Sequence, residues 1–373
     1  MGGAKMQNNF VYVWRGDYSD GYLWYITHES GILIRIDVET GQVDYVQSLI
    51  KCGDAKGHIY HQLVCAEKNV FWAIPGMGDR LLQIDLLNNE QLAYDFPESE
   101  PQPNQVSKFT GCIKYGEKIF CFPGNAEYIL SIDCRTGESE CNRSVTNAID
   151  DIQGEKLYSY FSWGTVREGN MVYAVGLKHN LLLELNLDTN EYRLTNLMNE
   201  EGVCGYRGVT VFNNLIFVTN RFFQVRIYNA LTKQFIKRLE TPNSYLMLRQ
   251  YKDGVLLVPA KDAKYAFYDV KNDTINEVEY PLECQYIYKD EKKMLAKDII
   301  ETNDKYFIVS AFCNTLIIID KNTKEVEFKE MFYGKSLLDF LLGAGNGVLQ
   351  EGKNIVDFMK MDLEDFVSLL DSQ

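Results

Sequence analysis

Four histidines, His28, His58, His61 and His179, are the first candidates for acid–base or metal chemistry in this chain. None stands in HExxH or another metal-ligand spacing. His58 and His61 are three apart, a helix-face spacing, but they sit where a loop runs into a strand-like stretch. No GxSxG, P-loop or GxGxxG follows a strand-like run, so no nucleophile elbow or phosphate-cradling loop is signalled. Nine cysteines are present, Cys52, Cys65, Cys112, Cys121, Cys134, Cys141, Cys204, Cys284 and Cys313. Their number is odd, no CxxC occurs, and Cys121 lies inside the apolar run Ile119–Phe122. They read as small buried hydrophobes of a reducing compartment. Glu98 and Glu100 lie in a proline-rich loop and read as solvated. No cofactor and no metal are expected.

Seven aspartates and asparagines stand in register and invite a calcium reading: Asp37, Asp85, Asp133, Asn186, Asn229, Asp269 and Asp320. Their neighbours argue for punctuation instead. Each ends an apolar run and precedes a turn: Thr40-Gly41, Asn88-Asn89, Thr136-Gly137, Thr189-Asn190, Thr232-Lys233, Asn272-Asp273 and Asn322-Thr323. A side-chain carboxylate or amide can accept a backbone amide two residues on, and Gly or Asn then supplies a positive φ. The intervals between anchors run from 40 to 53 residues.

The anchors belong to a repeat of roughly fifty residues that covers almost the whole chain. In the first copy Leu23-Trp24-Tyr25-Ile26 leads to Leu33-Ile34-Arg35-Ile36-Asp37. In the third, Ile119-Phe120-Cys121-Phe122-Pro123 leads to Ile129-Leu130-Ser131-Ile132-Asp133. A further strand is expected before each unit: Phe10–Arg15, Gln62–Ala66, Gly111–Tyr115, Tyr158–Trp163, Gly208–Phe212, Tyr245–Tyr251 and Asp298–Thr302. Four strands per repeat, seven times over, predict an all-β, seven-bladed β-propeller over residues 8–332, each blade burying its faces against its neighbours. The seventh copy holds four strands of its own, so closure should not need an N-terminal strand in the last blade. In blade design the chain resembles the kelch, WD-repeat and YVTN-type propellers. The kelch Gly-Gly pair, the Trp-Asp ending and the Tyr-Val-Thr-Asn signature are missing, so the resemblance implies a fold and no specific family or activity.

In a propeller, the loops between second and third strands and the blade-to-blade linkers converge on one face. The first set contributes His28, Arg80, His179 and Arg221, with Asp79, Asn125, Glu127, Lys178, Asn220, Lys261 and Asn314 nearby. The second places His61, Lys108 with Phe109, Tyr160, Tyr206 with Arg207, Tyr245 and Lys297 at the starts of the inner strands. That ring is basic and aromatic, suited to an anionic or sugar-like ligand through charge-assisted bonds and stacking. The same residues also read as ordinary loop polars and strand-start aromatics.

The net charge of −14 is spread along the chain and no Lys/Arg cluster stands out, which argues against nucleic acid and anionic membrane surfaces as partners. Residues 1–10 lack a signal-peptide pattern, and no apolar run is long enough to cross a membrane. Met1–Lys5 reads as residues added artificially ahead of a natural start at Met6, and a cytoplasmic location is expected. Residues 333–373 form a C-terminal helical extension. Within Asn354–Leu370, Ile355, Phe358, Met359, Leu363, Phe366, Val367 and Leu370 recur at helical spacing opposite an acidic face. That helix folds back on the propeller or docks into a partner's groove. Two functions fit these readings. One is a non-enzymatic binding or scaffold protein presenting its channel face to a protein partner or an anionic or sugar-like small molecule. The other is a lyase or hydrolase on an anionic saccharide or lactone, with His61 or His179 as base and Arg207, Lys108 or Lys297 stabilising charge.

Overall fold

The computed structural model describes residues 13, 15–27, 31–50, 60–76, 78–96, 108–197, 205–220, 224–241, 245–259, 264–279, 296–310 and 315–337; of residues 279, 296, 297 and 310 it describes the backbone only. Seven antiparallel sheets follow one another along the chain. Blade 1 is β1 (Asp17–Ser19), β2 (Tyr22–Ile26), β3 (Ile32–Asp37) and β4 (Gln42–Ser48). Blade 2 is β5 (Tyr60–Glu67), β6 (Val70–Pro75), β7 (Arg80–Asp85) and β8 (Glu90–Asp95). Blade 3 is β9 (Phe109–Tyr115), β10 (Lys118–Pro123), β11 (Ile129–Asp133) and β12 (Ser139–Asn142), followed by helix α1 (Ser144–Gln153). Blade 4 is β13 (Val166–Glu168), β14 (Met171–Val175), β15 (Leu181–Asn186) and β16 (Tyr192–Asn196). Blade 5 is β17 (Gly208–Phe212), β18 (Leu215–Thr219), β19 (Gln224–Asn229) and β20 (Phe235–Glu240). Blade 6 is β21 (Tyr245–Tyr251), β22 (Gly254–Pro259), β23 (Lys264–Asp269) and β24 (Thr274–Glu279). Blade 7 is β25 (Ala296–Glu301), β26 (Lys305–Ser310), β27 (Thr315–Asp320) and β28 (Val326–Glu330), and β29 (Phe332–Tyr333) follows it.

The turns between third and fourth strands form as their residue types dictate. At all seven anchors the side-chain Oδ1 accepts the amides two and three residues on: at Asp37 from Glu39 and Thr40 at 2.8 and 2.9 Å, at Asn229 from Leu231 and Thr232 at 2.9 Å each. Asp85, Asp133, Asn186, Asp269 and Asp320 repeat the pattern. The residue four beyond each anchor has a positive φ: Gly41, Asn89, Gly137, Asn190, Lys233, Asp273 and Lys324. In the last turn the left-handed residue is thus Lys324, one place after the expected Asn322-Thr323 pair.

Apolar residues gather in seven clusters, one per seam between blades. Trp24, Leu33, Phe71 and Ile84 fill the seam of blades 1 and 2, and Tyr228, Val218 and Leu182 that of blades 4 and 5. The ring closes between blades 7 and 1, where Leu23, Ile34 and Val43 pack with Phe307, Leu316 and Met331. Blade 7 supplies its own four strands, as expected. Closure is reinforced outside it: β29 runs parallel to β4 as a fifth strand of blade 1, with Phe332 N–H donating to the Gly41 carbonyl at 3.1 Å and Gly334 N–H to the Val43 carbonyl at 2.8 Å. Tyr333, at the start of the expected extension, therefore pairs with blade 1.

Two inner strands differ from expectation. In blade 1 the chain makes a bridge at Val13 and then β1, interrupted at Gly16, where a side-chain carbon would lie 2.2 Å from the Trp24 carbonyl. In blade 4 Phe161 of the expected Tyr158–Trp163 strand and Gly164 just beyond it make isolated bridges, and the strand is β13. Gly164 passes so close to Gly208 that a side-chain carbon would lie 2.4 Å from its Cα. Helix α1 was not anticipated. Val145 and Ile149 bury one face of it between blades 3 and 4. The C-terminal stretch is helical at 335–337, and Asn354–Leu370 lies outside the described residues. No helix among the described residues is long and apolar enough to cross a membrane.

Candidate binding site in the central channel

The ring of strand-start residues seen in the sequence sits inside the seams. His61, Tyr160, Tyr206 and Tyr245 are all buried. Backbone amides there grip the second-to-third-strand loop of the preceding blade: Lys108 N–H to the Gly76 carbonyl at 2.8 Å, Tyr160 to Gly124 at 2.8 Å, Tyr206 to Gly176 at 2.7 Å. The side chains complete these latches. Tyr160 donates to Asp150 Oδ2 of α1 at 2.9 Å, and Tyr206 to the Leu197 carbonyl at 3.2 Å. Lys108 Nζ donates to the Gly78 carbonyl at 2.7 Å and lies 4.6 Å from the Phe96 ring centre, and burial lowers its pKa. The Arg207 backbone joins a seam, its carbonyl accepting from Ser162 Oγ at 2.7 Å.

Of the second-to-third-strand set, exposed Arg80 pairs with Asp95 at 2.8 Å within blade 2. His179 is buried against Phe161, accepts the Leu181 amide at Nδ1 and is held at a pKa of about 4 by desolvation, with the Tyr160 backbone opposing the fall. Such an imidazole is neutral at physiological pH. Both buried histidines lie flat on glycine: a side-chain carbon on Gly76 would sit 2.4 Å from His61, and one on Gly176 2.1 Å from His179. The structure thus brings Tyr160, His179 and Tyr206 together around one loop of blade 4 and keeps His61, Lys108 and Tyr245 in other seams. His28 and Arg221 lie outside the described residues, as does the Lys297 side chain.

The channel itself holds a different set. A cavity of about 560 Å³ is lined by residues of the inner strands of blades 1, 2, 3, 4, 6 and 7. Its walls include Glu301 at the end of β25, Thr302 and Asn303 of the turn that follows, and Lys321 from the turn after β27. The cavity therefore reaches toward the end opposite the ring, where first-to-second and third-to-fourth strand turns gather. Charged side chains on its wall are Arg15, Lys114, Arg167, Arg249, Lys321, Asp17, Asp298 and Glu301.

Arg15 crosses the channel. Its Nη2 leaves blade 1 and donates to the Trp163 carbonyl ahead of blade 4, with the guanidinium 5.9 Å from the Trp163 ring centre. Gly111 of β9 makes room for Thr165 beside it: a side-chain carbon there would lie 3.0 Å from Thr165 Oγ1, against an ordinary 3.6 Å from Arg15 Nη1. Burial lowers the Arg15 pKa and nearby Asp298 raises it, and the guanidinium remains charged at neutral pH. Lys114 Nζ donates to the Ala66 carbonyl and Arg249 Nη1 to the Leu248 carbonyl at 2.8 Å. Arg167 lies 5.6 Å from the Tyr115 ring centre. Lys321 pairs with Glu301 at 2.6 Å.

The carboxylates are engaged by backbone. Asp17 accepts the Cys65 and Tyr18 amides at 2.8 Å each, and Asp298 accepts the Gly16 amide at 2.9 Å. Burial nonetheless pushes Asp17 up to about 6, against those two amides and Lys114 and with the Asp298 charge adding to the rise. Asp298 is raised for the same reason, against Arg15 and Arg249. Lys114, Arg249 and Asp298 did fall in strands marked in the sequence. The signal available there was a charge in the middle of a strand flanked on both sides, which only a channel can hydrate.

These features define a class: a seven-bladed propeller with an ionic cavity on its axis. No family model matches the sequence, and a search of curated proteins finds no relative. Solved structures do share the fold. A catalytically inactive virginiamycin B lyase from Staphylococcus aureus with quinupristin superposes at a TM-score of 0.58 and 13% identity, covering 82% of this chain and 95% of that one. A chain of the mitotic checkpoint complex superposes at 0.55 and 9% identity, covering 89% and 90%. At these identities the likeness concerns the fold.

Proposed function

We propose that this protein is a non-enzymatic binding propeller that holds a small molecule in its axial cavity. The observation that carries this reading is the cavity of about 560 Å³, walled by fixed polar groups from six blades. Its size is that of pockets that enclose small ligands. The competing reading, a lyase or hydrolase, needs a base beside the substrate. The lyase among the fold's relatives keeps that reading in view. Against it, His61 and His179, the bases that the sequence offered, are buried in seams and neither lines the cavity, while the carboxylates that do, Asp17 and Asp298, have oxygens engaged by backbone amides. The test is to purify the protein from its own cell, denature it and identify released small molecules by mass spectrometry, alongside an Arg249→Met variant. A compound present in proportion to the protein and lost in the variant supports the reading. A compound retained by the variant, or turned over by the protein, speaks against it.

A further inference from the structure

Among the described residues Arg15, Lys114, Arg167 and Arg249 make no direct ion pair, although Asp298 lies near Arg15 and Arg249 and Asp17 near Lys114; their direct contacts are with backbone carbonyls or ring faces. Lys321 is the cavity cation that has a carboxylate partner, Glu301. Asp17 and Asp298 direct oxygens at backbone amides and are both disposed to take up a proton. Thr165, 6% exposed as a residue, lines the same wall, and its Oγ1 has no hydrogen-bond partner among the described residues. Arg15 Nε is likewise without one. A protein of net charge −14 thus gathers four cations around a half-open cavity, two of them, Lys114 and Arg167, exposed. Low-dielectric walls strengthen such a field, and Arg is the side chain whose fork matches a carboxylate or phosphate.

We propose that the cavity is a site for a small organic anion, a carboxylate or phosphate compound, held by Arg15, Lys114, Arg167 and Arg249 with Thr165 as a hydroxyl donor. The proposal rests on the channel reading above and adds the ligand's charge class.

The experiment is calorimetric titration and thermal shift with inorganic phosphate, citrate, glucuronate, glucose and spermidine, at low and high sodium chloride. The proteins are wild type, Arg249→Met and Arg167→Met, each first checked for native far-UV dichroism. Two single variants on different blades guard against one failing to fold. The expected result is that at least one of the anions binds, weakens with salt, and loses tenfold or more in affinity in each folded variant. Binding of glucose or spermidine, sensitive to the variants and without anion binding, overturns the anion class and leaves the channel reading standing. Anion binding that both folded variants retain places the anion elsewhere and overturns the proposed site. Absence of any anion effect at millimolar concentration also overturns the class.

Discussion

Asp85 Oδ1 accepts the amides of Leu87 and Asn88 at 2.9 and 3.1 Å, so this single side chain satisfies two turn donors that would otherwise face water alone. Asp85→Ala should lower the urea midpoint, because both amides lose their acceptor. Asp85→Asn should recover most of that, since Asn186 and Asn229 do the same work in blades 4 and 5. Urea denaturation of the two variants measures both. The reverse change is available at Lys324, a non-glycine residue at φ 68°. Lys324→Gly should stabilise by up to about 1 kcal/mol, because a left-handed conformation strains a side chain with a Cβ. Its exposed pair with Asp253 is weak and offsets little. Thermal melts check this, and an unchanged or lowered midpoint would refute the strain argument.

Helix α1 and strand β29 are elements that lie outside the repeat, and each has a distinct structural task. α1 seals the outer seam of blades 3 and 4 through buried Val145 and Ile149, and is tied down by Arg143 Nη1 to Glu127 Oε2 at 2.9 Å and by Tyr160 to Asp150. Ile149→Ala should therefore cost about 2–4 kcal/mol in chemical denaturation, the range for emptying a packed site. β29 joins the end of the last blade to the outer edge of the first. Ending the chain at Met331 removes its two backbone bonds and buried Leu337 from the closing seam. The expected outcome is a lower melting temperature with an unchanged β-sheet dichroism spectrum. A melting temperature equal to that of the full chain would show that the apolar seam of blades 7 and 1 closes the ring without the strand.

Stability of the whole molecule should depend on pH through two opposed sets of carboxylates. Asp17 has a folded pKa of about 6 against an ordinary 3.8, because burial disfavours its charge. Its stabilising contribution is fully present below 3.8 and is lost as pH rises through 6, a difference on the order of 1 to 3 kcal/mol. Asp298, Lys114, Arg15 and the Cys65 and Tyr25 side chains are the charged and titratable groups around it. The turn aspartates Asp85, Asp133, Asp269 and Asp320 are shifted the other way, first by the amides they accept. Their contribution is present above 3.8 and lost as pH falls through the depressed values. Stability should thus be greatest between roughly pH 4 and 6. Denaturation curves at pH 3, 5 and 8 should show the maximum at 5, and Asp17→Asn should reduce the difference between 5 and 8. A variant with the full difference would assign the effect to other groups.

The seven blades were legible in the sequence because their signals are local. An anchor speaks to amides two and three residues away, and strand alternation repeats every second residue, so neither needs the ring to exist. α1 was legible in principle from Val145, Ile149 and Ile152, and was hidden by its place between two repeats. The channel site is of another kind. Arg15 reaches the Trp163 carbonyl across 148 positions, and Asp298 receives the Gly16 amide across 282. The strand-start tyrosines and histidines carried the right chemistry for a rim, but the seams absorbed them, because each linker must latch to the preceding blade. Which charges meet depends on how seven sheets close about one axis. Residue types and their local spacing settled the blades; only ring closure decided that Arg15, Lys114, Arg167 and Arg249 should share one cavity.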